Sequence, residues 1–465
     1  MTGTTGGRRR AVAVTALDVA VSALAVLAVV SWVFGGIGSA STRMSALTWW
    51  PFPAAAALAI SSIRRRFLAQ PALWPRLVTW GRGHEALAAA RPPFLFTRLP
   101  ILIIGYVTVV LVGFPVTADW LASSDPLWNL LARWDTGWYV EIATKGYVWT
   151  GRTDIEQNIV FFPAFPILMR AVAELLRSHA MVGGLAVSLT AFLGAMVYLY
   201  RLARLNMDGE AAAGALALTA CYPYAVFYSA AYTESLFLVA VVGAFYHFRQ
   251  AQWFRAGLWG LVVGLTRPNG FVLSVPLACI ALAPLMTWIG PRLRWWLTGS
   301  EDRPEGGIGR TTRGLAAASM PGVGLLLFLA FNYWFTGDPT TWMRAVEAWG
   351  RTVPGAGPFA GALGVGVYNT KDVFNASASI FAAGMIPVVA WRFGAPYALF
   401  TLLLLAPPFL SGGLESMGRY SSVAFPMFLG LAAVLNRSSR LALTIAFALL
   451  QVLAATMFFT WRPMY

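Results

Sequence analysis

Apolar runs of about 17–25 residues recur from one end of the chain to the other, the length at which a helix crosses a hydrocarbon layer. In lipid every backbone N–H and C=O must find its partner inside the protein, so such runs fold as α-helices. Of 465 residues 58% are hydrophobic and 11% charged, where a soluble protein carries about 25% charged residues. The expected fold is an all-α polytopic membrane protein with about 13 transmembrane helices and short juxtamembrane helices on the outer face. The first run, 11–34, is too long for the core of a cleavable signal peptide, and Arg8-Arg9-Arg10 before it reads as a cytoplasmic anchor. A net charge of +15 would suit nucleic acid, but the basic residues sit mainly in alternate loops, as the positive-inside rule requires, and form no single patch. The N-terminus is therefore placed in the cytoplasm. Cys221 and Cys279 both lie in apolar runs, which offers neither a disulfide framework nor a cysteine metal site.

Spans are expected at 11–34, 46–62 and 99–117, then at 181–203, 211–228, 231–249, 256–268, 271–288, 315–336, 374–391, 396–411, 420–436 and 441–460. Between the second and third, Arg64-Arg65-Arg66, Arg76, Arg82 and Arg91 stand among Ala, Leu and Trp up to Arg98, which reads as a cytoplasmic amphipathic hairpin on anionic headgroups. Two regions result: 1–97, a helix pair plus this basic segment, and 98–465, a membrane domain with an outer loop at 118–180. Several spans are joined through Pro or Gly, at Tyr222-Pro223, Pro268-Asn269-Gly270 and Pro407-Pro408. Broken helices at membrane depth are tolerated where they line a cavity or are buried in protein.

The outer loop crowds charge and aromatic rings together. Asp125-Pro126 reads as an N-cap with proline in the first turn, and Leu127, Leu130, Leu131 and Trp134 form one apolar stripe. That helix is too short to cross the bilayer and is expected to lie on its surface. Thr136-Gly137 is expected to break it and leave Asp135 at its exposed end, with Arg133 before the carboxylate and Trp138 and Tyr139 after it. The same face collects Tyr232, Thr233 and Glu234; Arg267 and Asn269; Asp338; and Glu415, Arg419 and Tyr420. Ionisable residues near membrane depth are costly and mark functional sites by default. Each has a plainer reading beside that one. Arg133 and Asp135 can form a structural ion pair, Glu234 can favour a helix N-terminus, and Arg267 can snorkel to headgroups. For Asp338-Pro339 the plainer reading wins: an N-cap and first-turn proline for an interfacial helix carrying Trp342, Met343, Val346 and Trp349. Trp138, Tyr139, Trp342 and Trp349 suit either an aromatic belt or a sugar, whose C–H faces stack on rings beside a carboxylate. Arg267 and Arg419 supply planar forks that hold phosphate oxygens bidentately. No Walker-type loop, HExxH motif or GxSxG elbow occurs, and His84, His179 and His247 are scattered.

Arg133-Trp134-Asp135-x-x-Trp138-Tyr139-x-x-Ile142-Ala143-x-x-Gly146-Tyr147 resembles the first outer-loop signature of the phosphatidylinositol-glycan class V family, which comprises the GPI mannosyltransferase II proteins and their bacterial relatives within the GT-C superfamily. Four further blocks are similar in order: Phe161-Phe162-Pro163-x-x-Pro166, Tyr222-Pro223 through Tyr232-Thr233-Glu234-Ser235, Arg267-Pro268-Asn269-Gly270, and Ser416-Met417-Gly418-Arg419-Tyr420 with Pro426. The resemblance implies a GT-C fold in a bacterial plasma membrane and an inverting transfer of mannose on the extracytoplasmic face. The donor it implies is polyprenyl-phosphate-mannose and the acceptor a glycolipid, lipid-linked or cell-envelope glycan. Asp135 would take the acceptor proton as general base. Arg267 and Arg419 would meet the leaving phosphate, while Asn269, Glu234, Tyr232 and Tyr420 orient sugar hydroxyls and Arg133, Trp134, Trp138 and Tyr139 complete the binding surface. The donor is a co-substrate, and neither a cofactor nor a metal is expected. The alternative is a flippase or secondary transporter of a lipid-linked sugar, built on the same broken helices.

Overall fold

Where helices must carry their own hydrogen bonds, each interruption exposes backbone groups that something else has to satisfy. The interruptions are therefore the informative part of this fold. The computed structural model describes residues 84–113, 132–286, 290–298, 307–349 and 370–464, together with Leu130 and a few short stretches before residue 61. No strand occurs among them. The chain divides into two compact units, Met1–Ala88 and Ala89–Tyr465. The spans expected at 11–34 and 46–62, and most of the surface helix expected from Asp125, fall outside the described residues.

In chain order the helices are α1 (Glu85–Val112), α2 (Thr136–Lys145), α3 (Ala164–Leu175), α4 (Ala180–Ala203), α5 (Gly209–Cys221), α6 (Glu234–Arg249), α7 (Trp253–Thr266), α8 (Ser274–Ala281), α9 (Pro291–Thr298), α10 (Gly307–Thr336), α11 (Thr341–Ala345), α12 (Thr370–Phe393), α13 (Ala395–Gly412), α14 (Met417–Ser422), α15 (Phe425–Val434) and α16 (Arg437–Phe459). Short 3₁₀ turns follow α5 (Pro223–Ser229) and α7 (Pro268–Leu273). Among the described residues six helical segments are long and apolar enough to cross a membrane, and a seventh is the pair of α5 and its 3₁₀ turn, bent by 80°. Ala395–Leu410 and Phe425–Val434 are shorter apolar helices. This is a multi-pass helical architecture: helices lie at each expected span after 180, but α6 and α7, at 231–249 and 256–268, are not long enough to count as spans, proline or glycine splits 211–228, 271–288 and 420–436, and α10 begins at Gly307 instead of 315. Small residues let helices approach: Gly264 of α7 lies so close to the Pro321 carbonyl of α10 that a Cβ has no room.

Connectivity separates two ends of the bundle. The tight links 204–208, 250–252 and 435–436 lie at one end, with Arg201, Arg204, Arg249, Arg255, Arg437 and Arg440 on or beside them. The links 222–233, 267–273 and 413–416, and the end of α16, lie at the other.

Two sequence expectations change here. The helix expected from residue 99 starts at Glu85, so 85–98 belongs to the span and not to a surface hairpin. The reason is Arg98, which is only 2% exposed and serves the broken helix instead of headgroups. Its Nη1 donates to the Ala225 carbonyl at 2.5 Å and to the Ser229 hydroxyl at 2.9 Å, and its Nη2 to the Ala220 carbonyl at 2.9 Å. Gln451 of α16 adds Nε2 donations of 2.9 Å to the carbonyls of Ala220 and Tyr222. Together they take up carbonyls released where Pro223 ends α5. Replacing Arg98 by Met keeps the bulk but removes the donors. It is expected to lower stability by about 1–3 kcal/mol, read as a lower unfolding midpoint of the purified protein in micelles, with Arg98→Lys recovering part of the loss.

Candidate active site

Asp135 enters the site from a backbone kink. After Leu130 the chain leaves helical geometry: Ala132 and Arg133 are irregular, and Trp134 has a left-handed φ of 52°. Helix α2 then begins at Thr136 and buries Tyr139, Val140, Ile142 and Ala143 along one stripe. Thr136-Gly137 therefore opens a helix and does not end one, and Asp135 stands in front of α2. The expectation fails because an Asp before a strongly periodic run is a start signal, which outweighs the breaker tendency of Thr-Gly. Although Asp135 occupies the N-cap position, its carboxylate makes no capping bond. It points to Arg419, whose Nη1 donates to Oδ2 at 2.7 Å. Oδ1 takes no hydrogen bond from the described residues.

Tyr232 sets the kink. Its buried hydroxyl donates to the Arg133 carbonyl at 2.9 Å and accepts from the Asp135 N–H at 3.1 Å. Glu234, fully buried at the start of α6, accepts from Arg419 Nε at 2.9 Å and pairs with Arg267 through the same oxygen. Arg267 is held in extended backbone between α7 and its 3₁₀ turn and donates from Nε to the Thr233 hydroxyl at 2.9 Å. Arg419 lies in α14, which follows a second left-handed residue, Ser416 with φ 59°. Gly418 beside it packs against the Tyr224 ring with no room for a Cβ, and its N–H donates to Asn375 Oδ1 at 2.8 Å. The Arg419 guanidinium also lies 5.0 Å from the Phe227 ring and 4.9 Å from that of Tyr232. The result is an ionic chain, Asp135–Arg419–Glu234–Arg267, drawn from four distant segments. Burying such a chain costs desolvation that its mutual attraction offsets only with good geometry, so its presence speaks for function more than stability.

Asp135, Tyr139, Arg267, Arg419 and Tyr420 line an open cleft, with Phe161, Phe162, Trp342 and Trp349 as its aromatic walls. Trp342 meets Phe162 edge-on at 5.4 Å and Trp349 meets Phe161 at 5.6 Å. The indole N–H groups of both tryptophans find no acceptor among the described residues. Burial raises the Tyr139 phenol well above its usual range, which keeps it a hydrogen-bond donor.

The other expected residues stand elsewhere. Arg133 is buried beneath the kink: its Nε donates to the Phe459 carbonyl at 2.9 Å, its guanidinium lies 5.2 Å from the Trp461 ring, and burial pushes its pKa down to about 10. It serves the end of α16, and the plainer reading of an ion pair with Asp135 gives way to Arg419 as that carboxylate's partner. Trp134 packs on Trp461 at 5.2 Å, and Trp138 sits behind Phe161 and Trp349. Asn269 donates to the Leu404 carbonyl at 3.3 Å away from the cleft lining. Tyr232 and Glu234 are not among the residues that line the cleft; the Tyr232 hydroxyl is taken by backbone and Glu234 Oε1 by two guanidinium groups, while Glu234 Oε2 is buried without a hydrogen-bond partner among the described residues. Reasoning from sequence missed Phe161, Phe162 and Ser416 as lining residues; the Phe-Phe-Pro block was the available signal. Asp338 keeps the structural role expected of it, accepting from the Thr340 N–H at 2.8 Å and pairing with Arg344.

Fold and site thus define a multi-pass helical membrane protein with an ion-paired cleft at the end opposite its arginine-rich links. Residues 108–286 match the sequence model of the family described as Mannosyltransferase (PIG-V). GPI alpha-1,6-mannosyltransferase 2 of Mus musculus is 30% identical over 152 residues, which cover 30% of each chain. The chain therefore spans under a third of the length of this curated relative. Two crystal structures of the Archaeoglobus fulgidus oligosaccharyltransferase, with Zn and sulfate and in the apo form, align at TM-scores of 0.36 and 0.40 with 15% and 14% identity. They cover 78% and 79% of this chain and 53% and 56% of theirs. On these sequence matches residues 108–286 are similar to the PIG-V mannosyltransferase family. The matched stretch holds Asp135, Glu234 and Arg267; Arg419 lies beyond it and is joined to them in space.

Replacing Tyr232 by Phe removes one buried hydroxyl, leaves the Asp135 N–H without its acceptor and takes one of two donors from the Arg133 carbonyl, which keeps the Thr136 N–H at 3.1 Å. A loss of about 1–3 kcal/mol is expected in thermal or denaturant unfolding, because a buried backbone donor loses its partner.

Proposed function

We propose that the chain is an inverting membrane mannosyltransferase that moves mannose from a polyprenyl-phosphate-mannose donor to a glycolipid or cell-envelope glycan acceptor. The observation that carries this reading is the asymmetric carboxylate of Asp135: Oδ2 is fixed by Arg419 at 2.7 Å, while Oδ1 remains available on the wall of an aromatic cleft. A general base needs that arrangement, one oxygen to fix orientation and the other within reach of the acceptor hydroxyl. The acceptor oxygen attacks the anomeric carbon while its proton passes to Oδ1. The bond to phosphate breaks with its electrons on oxygen, and the phosphate leaves as an anion without needing a general acid.

Trp342 and Trp349 supply ring faces for the sugar and indole donors for its hydroxyls, and Tyr139 and Tyr420 stand on the same cleft. With the arginine-rich links in the cytoplasm, as the positive-inside rule places them, the cleft opens to the extracytoplasmic face of a plasma membrane. The reading needs no metal, since Asp135 and Glu234 are both oriented by guanidinium groups. The Mus musculus relative is named a GPI alpha-1,6-mannosyltransferase; here the acceptor class follows from the membrane setting alone.

Purified protein in detergent, given labelled polyprenyl-phosphate-mannose and native membrane lipids, is expected to form a glycosylated product detectable by mass. A flippase forms none without a sealed compartment, so absence of product would remove the enzyme reading. Asp135→Asn should lower the transfer rate by about 10²–10⁴-fold, the usual span for a general base, with the unfolding midpoint retained. Trp349→Ala is expected to raise the KM for the donor more than it lowers kcat, because the ring contributes to binding and not to proton transfer.

A further inference from the structure

At the arginine-rich end of the bundle a groove opens between α9 and the last turns of α12. Gly394, where α12 turns into α13, fixes that end, since α13 finishes at the 413–416 link beside the cleft. Helix α9 gives Arg292, Trp295 and Trp296 to the groove, and α12 gives Pro387 and Trp391. Trp296 and Trp391 are exposed, and such rings favour the level where lipid tails meet headgroups. Arg292 is exposed too and forms no ion pair among the described residues. Arg392 lays its guanidinium 5.3 Å from the Trp391 ring and makes one long hydrogen bond, from Nη2 to the Ala433 carbonyl at 3.4 Å. Helix α9 packs on α8, α12 and α13. Neither α8, α9 nor α13 carries a carboxylate, and the one in α12, Asp372, stands in its first turn at the opposite end.

The groove thus sets two cations without a counter-charge on these elements beside three indoles and a proline. A bare inorganic anion would meet the cations and leave the rings in water. A choline or ethanolamine head brings a cation of its own among arginines. We propose that the groove binds one anionic glycerophospholipid, its phosphate held by Arg292 and Arg392 and its glycerol and upper acyl chains laid on Trp295, Trp296, Pro387 and Trp391. Guanidinium forks match phosphate oxygens, and basic pockets at the cytoplasmic side of membrane helices attract anionic lipid heads. With the arginine-rich end in the cytoplasm, as proposed above, the lipid comes from the inner leaflet, on the side of the membrane away from the cleft. Helix α9 has eight residues, too few to hold a helix by its own hydrogen bonds. A lipid that touches α9 and α12 together ties that short helix to the bundle, so binding and stability rise together.

Full-length protein in dodecylmaltoside micelles, titrated with dioleoylphosphatidylglycerol, is expected to retain one lipid by native mass spectrometry and to unfold at a higher temperature. Dioleoylphosphatidylcholine and inorganic phosphate at the same concentrations should do neither. The double variant Arg292→Gln, Arg392→Gln should weaken phosphatidylglycerol binding about ten-fold, and Trp391→Ala should weaken it as well by removing the wall. Arg437→Gln neutralises an exposed arginine at the same end that does not line the groove, and should leave binding as in wild type. Equal retention of the two lipids would overturn the proposal, as would a loss in Arg437→Gln as large as in the double variant, since either would mark a general lipid coat. Stabilisation by inorganic phosphate alone would overturn it by showing an anion site without a lipid. None of these residues lines the cleft, so protein that transfers no mannose still reports on the groove, and loss of lipid binding says nothing against the transfer.

Discussion

The ionic chain Asp135–Arg419–Glu234–Arg267 is the contact on which the rest of the structure turns. Four segments that are remote in sequence meet there, and none of the charges is solvated enough to be indifferent to its partner: Glu234 is fully buried and Asp135 is 14% exposed. In such surroundings a carboxylate without its guanidinium is costly, while a complete pair is roughly balanced against a hydrophobic replacement. The chain therefore adds little to stability yet penalises every misplacement of α2, α6, the α7 link and α14. It works as a registration device for the end of the bundle.

Each of its members sits at a helix interruption. Asp135 follows a left-handed tryptophan, Glu234 follows the bend at Pro223–Ser229, Arg267 is extended between α7 and a 3₁₀ turn, and Arg419 follows a left-handed serine. A residue inside a continuous helix projects sideways into neighbours or lipid, whereas one at a break can point along the helix axis into a shared space. The cost is stranded backbone. Arg98 and Gln451 answer it at the bend, Tyr232 at the kink before α2, and Asn375 at α14, donating to the Lys371 and Met464 carbonyls while accepting from Gly418. The buried polar residues around the cleft are thus a second layer whose partners are mostly main chain.

This division explains what could be read beforehand. Helices after residue 180 follow from apolar length alone, and the charged members of the chain stand out because ionisable residues are rare in such sequence. Their partners do not. Arg133 is next but one to Asp135 in the chain, yet the kink at Trp134 turns the two side chains apart, and no local pattern announces a left-handed tryptophan. Arg98 looks like one more basic residue of a surface segment until the carbonyls of Ala220 and Ala225 are seen to need it. Tyr232 stands beside the site, but sequence shows which groups can hydrogen-bond and not which have already done so, as its hydroxyl has with the Arg133 carbonyl and the Asp135 N–H. Trp342 and Trp349 carry the same ambiguity from the other side. Their rings fit an interfacial belt or a wall, and only their position over Phe161 and Phe162 decides for the wall.

The cleft is consequently built in two parts with different tolerance for change. Its floor is the ionic chain, fixed from three sides by main-chain hydrogen bonds and by glycine contacts that leave no space for a methyl group. Its roof is the single segment from Asp338 to Trp349, which meets Phe161 and Phe162 through aromatic edges and is closed on itself by the Asp338–Arg344 pair. Edge-to-face ring contacts are worth about 0.5–1.5 kcal/mol each beyond their buried area and tolerate small shifts, unlike the charge-assisted bonds beneath them. Displacing the roof by an ångström leaves Asp135 and Arg419 in register, whereas the same displacement in α14 separates them. The ionic chain and the aromatic wall over it thus rest on separate elements, and the second can vary without disturbing the first.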